Sequence, residues 1–301
     1  HHVAWDDKAV EWTQFDAVYL ASTWDYHKRA EEFRAWLDRL DELRIPLFNP
    51  TPLVRWNLHK DYLEELRLMG VATVPTLSYR VGQTVDLAEV FARTGWRELV
   101  AKPAISASAE DTRRIQASAA NIPDHQAYLE RLSLRSDVLL QPFVPEVQHG
   151  EISLLFFGKR FSHAVLKVPQ AGDFRVQEEH GGSSLPFEPQ PAVLAQAQSV
   201  LEKLTCPWLY ARVDGVVVDQ QFVLMELELI EPHLFLQQAP QAAERFAQVV
   251  AERLRCQPRN NNRGKMTDLP SQLIKTIHFW PAEQSLPNIS PTTPAVESRC
   301  T

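Results

Sequence analysis

The chain has 301 residues, 45% hydrophobic and 23% charged, an ordinary globular composition that sets aside fibrous and intrinsically disordered classes and leaves room for one large domain or two. A formal net charge of -7 argues against a nucleic-acid or anionic-membrane surface as the main partner. There is no apolar run of about 18 residues and no signal-peptide pattern, and the 3 cysteines are odd in number and widely spaced, so the default expectation is a reducing cytoplasm and no disulfide framework.

The chain opens His1-His2-Val3 without a methionine. The expectation is that an N-terminal unit of the natural protein is missing, or that the two histidines are the remnant of a tag. Residues 16–23 read as a buried strand, and 28–43 as an amphipathic helix with Phe33, Trp36, Leu37 and Leu40 inward. Residues 45–49 read as the next strand, closed by Pro50 and Pro52, giving an α/β layer that wants a preceding strand. Asn57 is predicted to cap a helix that runs through Met69 to Gly70, with Leu58, Tyr62, Leu66 and Met69 buried. Lys60 then falls in the first turn, where the helix dipole disfavours a cation unless a phosphate is near.

Residues 98–102 form a predicted strand ending at Lys102-Pro103, followed by the small residues Ala104-Ile-Ser-Ala-Ser-Ala. Small side chains let backbone N–H groups approach an anion closely, the requirement of a phosphate-covering loop. The chain has only 10 glycines and neither G-x-x-x-x-G-K-[ST] nor G-x-G-x-x-G, which excludes the P-loop and Rossmann routes to nucleotide binding. A helix over 124–132 leads to a strand over 137–144, interrupted by Pro142 and followed by Pro145, which leaves backbone groups free for a heterocycle. A hairpin follows, 151–157 turning at Gly158-Lys159 into 160–168, and it delivers Lys167. The glycine-bearing stretch 170–184 reads as a lid that carries Arg175.

The segment from Trp208 to Pro232 reads as a second hairpin. Side chains alternate along a strand, so Arg212 and Asp214 share one face and Glu226 and Glu228 share another. With residues 219–221 as the turn, Asp214 falls opposite Glu226 and Arg212 opposite Glu228. Opposed like charges destabilise an antiparallel pair, so a cation is expected between them. All-oxygen ligation without a neighbouring His or Cys suits Mg2+, with Mn2+ as the variant. The competing reading is a solvated edge strand with Arg212 paired to Glu228. Lys60, Lys102, Lys167, Arg175 and Arg212, ahead of these carboxylates, look like a phosphate-neutralising set. Hydrolysis by a carboxylate pair would leave those cations unexplained.

The order Asn57-x-x-Lys60, Lys102-Pro103, Gln141-Pro-Phe-Val-Pro-Glu146, Gly150-Glu151, Gly172-Asp-Phe-Arg175, Arg212-x-Asp214 and Glu226-x-Glu228 resembles the ATP-grasp superfamily. Ser22-Thr-Trp-Asp-Tyr26, Arg55-Trp-Asn57 and Glu228-Leu-Ile-Glu-Pro232 look most like the glutathione-synthetase-like prokaryotic members that include the O-ureido-serine cyclo-ligase of cycloserine biosynthesis. The resemblance covers roughly residues 3–255. It implies an α/β (α+β) ATP-grasp fold with a truncated N-terminal α/β layer: a substrate-side domain over 1–55 and an ATP-grasp domain over 56–255.

The activity implied is an ATP-dependent carboxylate-amine ligase working through an acyl phosphate, or a non-catalytic Mg-ATP-binding relic of one. The same resemblance puts Lys60, Lys102 and Lys167 at the nucleotide, with the backbone at Gln141, Phe143 and Val144 on the adenine and Glu146 or Glu151 at the ribose. It puts Asp214, Glu226 and Glu228 on Mg2+ and makes Arg175 and Arg212 catalytic, with substrate bound near residues 22–26. The implied partners are a small carboxylate and an amine, with homo-oligomerisation left open. Residues 256–301 fit nothing in the family and are expected to be disordered.

Overall fold

The computed structural model describes residues 1–256 apart from Trp24 and Ala119. The tail expected to be disordered lies, past Cys256, outside the described residues. Among the described residues no helix is long and apolar enough to cross a membrane.

The N-terminal layer has the predicted elements in shorter form. Strands β1 (Val18–Tyr19) and β2 (Leu47–Phe48) pair in parallel over two residues each. Left-handed backbone at Ser22 (φ 56°) and Asn49 (φ 36°) marks the ends of these stretches. Helix α1 (Ala30–Glu42) buries Phe33, Trp36, Leu37 and Leu40, as the 3.6-residue spacing requires. A 3₁₀ turn, Tyr26–Arg29, takes the place of its predicted first turn. Trp5, Trp12, Tyr26, Phe33 and Trp36 form an aromatic core that closes on Ile230, just beyond the last strand of the described residues.

Pro50 follows β2 as expected, but with Pro52 it also opens a helix. Proline lacks the N–H that a first turn leaves unbonded, and its fixed φ suits that position, so α2 (Thr51–Leu58) starts there. Asn57 is therefore in the last turn of α2 and is not an N-cap. A separate short helix, α3 (Tyr62–Leu68), follows, so Lys60 sits in the link and not in a long helix's first turn. Tyr62 and Leu66 are buried as predicted, whereas Met69 is half exposed because it ends α3 on the solvent side.

A four-stranded antiparallel sheet comes next: β3 (Leu77–Tyr79), β4 (Glu98–Pro103), β5 (Arg113–Gln116) and β6 (Val138–Pro142), in the order β3-β6-β4-β5. Helices α4 (Leu87–Thr94) and α5 (Ile122–Ser133) cover it, packing Leu87, Val90, Tyr128, Leu129 and Leu132 onto Leu99, Ala101, Val138 and Leu140. Asp86 caps α4 by accepting from the N–H groups of Ala88 and Glu89, and Gly95 (φ 70°) stops it.

The second sheet is five-stranded and antiparallel throughout: β7 (Glu151–Phe157), β8 (Arg160–Val168), β9 (Ser183–Phe187), β10 (Tyr210–Val218) and β11 (Gln221–Glu228), in the order β11-β10-β7-β8-β9. Helices α3 and α6 (Pro191–Leu201) pack against one face and α7 (Ala242–Arg255) against the other, through Phe246, Val249 and Val250 on Phe157 and Tyr210. The near-continuous apolar run of β7 is thereby explained, since both its faces are covered.

Candidate active site

The β10–β11 hairpin places Asp214 opposite Glu226 and Arg212 opposite Glu228, the register read from the sequence. The route differs. The turn has two residues, Asp219 (φ 47°) and Gln220 (φ 66°), both left-handed as a tight hairpin turn of the primed type demands. A turn one residue shorter than expected would shift every pair, but a bulge between Asp214 and Gly215 leaves Met225 unmatched and restores the register. Gly215 is required here: a Cβ would lie 2.4 Å from Phe222 Cζ and 2.5 Å from the Val223 carbonyl oxygen.

Asp214 is 1% exposed and its oxygens are filled. Ser153 Oγ donates to it at 2.7 Å, Lys167 Nζ at 3.0 Å, and Arg212 through Nε at 3.0 Å and Nη2 at 2.9 Å. Burial alone would raise this carboxyl, yet Arg212 and Lys167 beside it hold it at about 2. The Arg212 guanidinium also reaches Glu228 and the His233 carbonyl, so it bridges the two strands. Lys167 pairs in addition with Glu151, directly across the β7–β8 ladder, at 2.5 Å. Burial pushes Glu228 up to about 7, with Glu226 and Asp214 adding to the effect against Arg212.

Lys60, only 7% exposed, donates to the Ser106 carbonyl at 2.7 Å and lies 3.3 Å from Glu226. Burial would raise the Glu226 carboxyl, but Lys60 and Lys102 hold it below the usual range. Burial lowers the Lys102 ammonium, and Lys60 adds to the effect. The structure thus brings Lys60, Lys102, Lys167 and Arg212 to the carboxylates. It does not bring Arg175, which stands in the 169–182 segment paired with Asp173 at 2.7 Å.

The expected small-residue loop after β4 is present. It turns without glycine, through left-handed Ser108, Ala109 and Asp111, and its Ser106 is the acceptor for Lys60. Its Ser108 carbonyl accepts from His180 Nε2 at 3.2 Å, and its Glu110 accepts from His27 Nε2 at 2.6 Å, so it joins the 169–182 segment to the N-terminal layer.

A cavity of about 340 Å³ is lined by Arg114 of β5, Gln148 and residues 169–173, which follow β8. Phe143 stands near it with Arg114 3.7 Å above its ring. Of the residues expected at the nucleotide, Gln141 is buried and donates to Thr76 Oγ1, the Phe143 N–H is bonded to the Glu98 carbonyl, and Glu151 is bound to Lys167. Glu146 and Val144 are half-buried, Glu146 within the 3₁₀ turn Pro145–His149 and Val144 just before it.

Four structural residues were not legible as such. Ser153 faces Asp214 in register on β7, a polar interruption in Ile-Ser-Leu-Leu-Phe-Phe whose role depends on knowing that β7 pairs with β10. Asn57 accepts from the Leu229 N–H and donates to the Leu227 carbonyl, while the Tyr62 hydroxyl accepts from the Leu227 N–H. Asn49 likewise donates to the carbonyls of Tyr210 and Leu229. These side chains fix the end of β11 against the N-terminal layer.

Among the described residues no group of three Asp, Glu, His or Cys side chains stands close enough together to hold a metal ion. Asp214, expected as a ligand, is committed to Arg212, Lys167 and Ser153. Among the described residues, Glu226 and Glu228 each meet a cation through one oxygen, Lys60 and Arg212 respectively, and no partner is found for the other. Mg2+ is ordinarily held by one or two carboxylates with phosphates and water, so the Glu226-Glu228 pair suits an ion that arrives with a nucleotide.

A family profile described as the D-cycloserine synthetase DcsG N-terminal domain matches residues 1–49. The cycloserine biosynthesis protein DcsG of Streptomyces lavendulae is 36% identical over 270 residues, covering 83% of this chain and 87% of that protein. The crystal structure of D-cycloserine synthetase DcsG superposes with a TM-score of 0.74 at 33% identity, over 83% of this chain and 88% of that one. The D-alanine–D-alanine ligase of Bacillus anthracis complexed with ATP shares the fold, with a TM-score of 0.56 at 15% identity over 84% of each chain. The chain therefore belongs to the D-cycloserine synthetase DcsG family of ATP-grasp ligases, enzymes that form carbon–nitrogen bonds.

Proposed function

We propose that this ligase transfers the γ-phosphoryl group of ATP to a substrate carboxylate and that an amine then displaces phosphate from the acyl phosphate, leaving ADP and phosphate. The observation that carries this reading is the pair Glu226 and Glu228, with open oxygens on one strand, facing the buried cations Lys60 and Arg212. Phosphoryl transfer needs positioning and charge stabilisation more than covalent help, and these residues supply both.

Lys60 and Lys102 neutralise the ATP phosphates beneath the 104–112 loop, and the cavity beside Phe143 and Arg114 takes the adenosine end. Glu146 is the better ribose partner, since Glu151 is occupied by Lys167. Glu226 and Glu228 would hold Mg2+, which when bound would supply charge neutralisation to the phosphates. Asp214 keeps Arg212 and Lys167 in place, so that the Arg212 guanidinium faces the carboxylate oxygen that becomes phosphorylated. Arg175 belongs to the lid and joins the phosphoryl group when Asp173 releases it. The substrate, an amino acid or small peptide, lies between the layer formed by residues 1–55 and the five-stranded sheet.

The experiment is ADP release with Mg-ATP and a panel of amino acids, dipeptides and O-ureido-serine, with the Glu226→Gln variant as blank. Release that depends on a panel compound and is lost in the variant is expected. ATP-induced thermal stabilisation without release from any panel compound would overturn the catalytic reading for these substrates.

A further inference from the structure

We infer that Glu231 is the specificity residue that receives a positively charged amino group of the substrate. This rests on the ligase reading above and adds the chemistry of the substrate to it. Glu231 is 9% exposed, and no hydrogen bond or ion pair to it is found among the described residues. Lys60, Lys167 and Arg212, each 7% exposed, all have partners: Lys60 with Ser106 and Glu226, Lys167 with Glu151 and Asp214, Arg212 with Asp214 and Glu228. Burial pushes the Glu231 carboxyl up, with Glu228 adding to the effect, so in the free protein it leans to its neutral form and a cation brought from outside the chain would complete it as a carboxylate.

The backbone that carries Glu231 is held in place. The Ile230 carbonyl accepts from the Tyr210 hydroxyl at 2.7 Å, the His233 carbonyl accepts from Arg212 at 3.3 Å, and Asn49 and Asn57 hold Leu229 on both its N–H and carbonyl. Pro232 further restricts the residue before it to extended backbone. The side chain is thus presented from a segment pinned on both flanks, three residues beyond Glu228.

Its surroundings define the ligand. Tyr26, 7% exposed and with no hydrogen bond to its hydroxyl found among the described residues, feels Glu231 first among its charged neighbours, then Glu228 and Glu226. On the same N-terminal stretch the Thr23 hydroxyl and His27 Nδ1 are buried and unpartnered. A carboxylate and a phenol hydroxyl beside two further carboxylates repel an anion and attract a cation with hydrogens to donate. A primary ammonium has that chemistry. Arg212 and Lys167 are already bound to Asp214, so the complement must come from the substrate.

The test measures ADP release by the full chain with Mg-ATP, titrating O-ureido-serine and its analogue bearing a hydroxyl in place of the α-amino group. With wild type, the analogue is expected to show a KM raised about tenfold or more, the ordinary size of one charge-assisted hydrogen bond. In Glu231→Gln the KM for O-ureido-serine should rise by a similar factor, the KM for ATP should stay unchanged, and the gap between amine and analogue should close. In Glu231→Asp, which keeps the charge, the KM should fall between the two. An unaltered O-ureido-serine KM in Glu231→Gln, or equal KM values for amine and analogue in wild type, would overturn the inference while leaving the ligase reading intact. The second comparison needs no variant and holds even if the substitutions impair folding. Absence of any release by wild type would instead remove the ligase reading, and this inference with it.

Discussion

The Lys60 ammonium lies 3.3 Å from Glu226 while donating at 2.7 Å to the Ser106 carbonyl, so one cation joins the α2–α3 link, the loop after β4 and strand β11. Lys60→Met should therefore weaken ATP binding about tenfold or more, a loss typical of a hydrogen bond to a charged group. Because Glu226 is then left without its nearest cation, the double variant with Glu226→Gln should be less damaged in stability than the sum of the two single variants. Isothermal titration and a urea double-mutant cycle measure the two effects; strict additivity would mean that the pair is not coupled.

Glu226→Gln and Asp214→Asn should separate chemistry from architecture. Glu226 has an open oxygen and one partner, so its amide variant should fold with little change in Tm and lose ADP release. Asp214 holds two buried cations. Its amide variant should lose about 3–5 kcal/mol in urea unfolding, because Arg212 and Lys167 are left buried without their counter-charge. Equal stability of the two variants would show that Asp214 is not the anchor of the cluster.

The two carboxyls pull the pH dependence of stability in opposite directions. Asp214, held at about 2, contributes stability that is complete above the ordinary range near 3.8 and is lost as pH falls through about 2. Glu228 is raised to about 7, so its contribution is complete below the ordinary value of 4.5 and is lost as pH rises through about 7. In metal-free buffer, Glu228→Gln should therefore gain stability over wild type at pH 8 relative to pH 5, by about 2 kcal/mol. A difference independent of pH between those limits would place the Glu228 titration elsewhere.

Gly215→Ala should cost about 1–3 kcal/mol, since its Cβ meets Phe222 and the Val223 carbonyl. The displacement lies at the bulge that sets the pairing of Asp214 with Glu226, so turnover should fall further than stability predicts. Comparing kcat at a temperature well below Tm with the urea midpoint distinguishes the two. Unchanged kcat would show that the site tolerates a shift in the bulge.

The second half of the molecule was more legible than the first. Hairpins 151–168 and 208–232 declare themselves by alternation and by turn residues, and period-two spacing puts Arg212, Asp214, Glu226 and Glu228 together whatever lies around them. The register was nevertheless reached through a turn one residue too long, corrected by a bulge at Met225 that no local pattern announces. Near Pro50 and Pro52 the sequence misleads, because proline ends one element and starts another with equal ease; α2 was missed, and Asn57 was assigned to a cap. Ser153 and Glu231 depend on contacts between distant strands and loops, which composition and spacing do not carry. The order of the motifs did identify the ATP-grasp family, since order survives where each motif alone is loose.

Strand β11 is at the border of its sheet, where unpaired N–H and carbonyl groups would ordinarily invite a strand from another molecule. Asn57 takes both the Leu227 carbonyl and the Leu229 N–H, Tyr62 takes the Leu227 N–H, and the Leu224 N–H is bonded to the Ala72 carbonyl. Side chains and a loop thus occupy the positions that an intruding strand would use. The same border carries Glu226 and Glu228, which need an open approach for small ligands, so the strand is shielded against self-association and fibril growth without being covered.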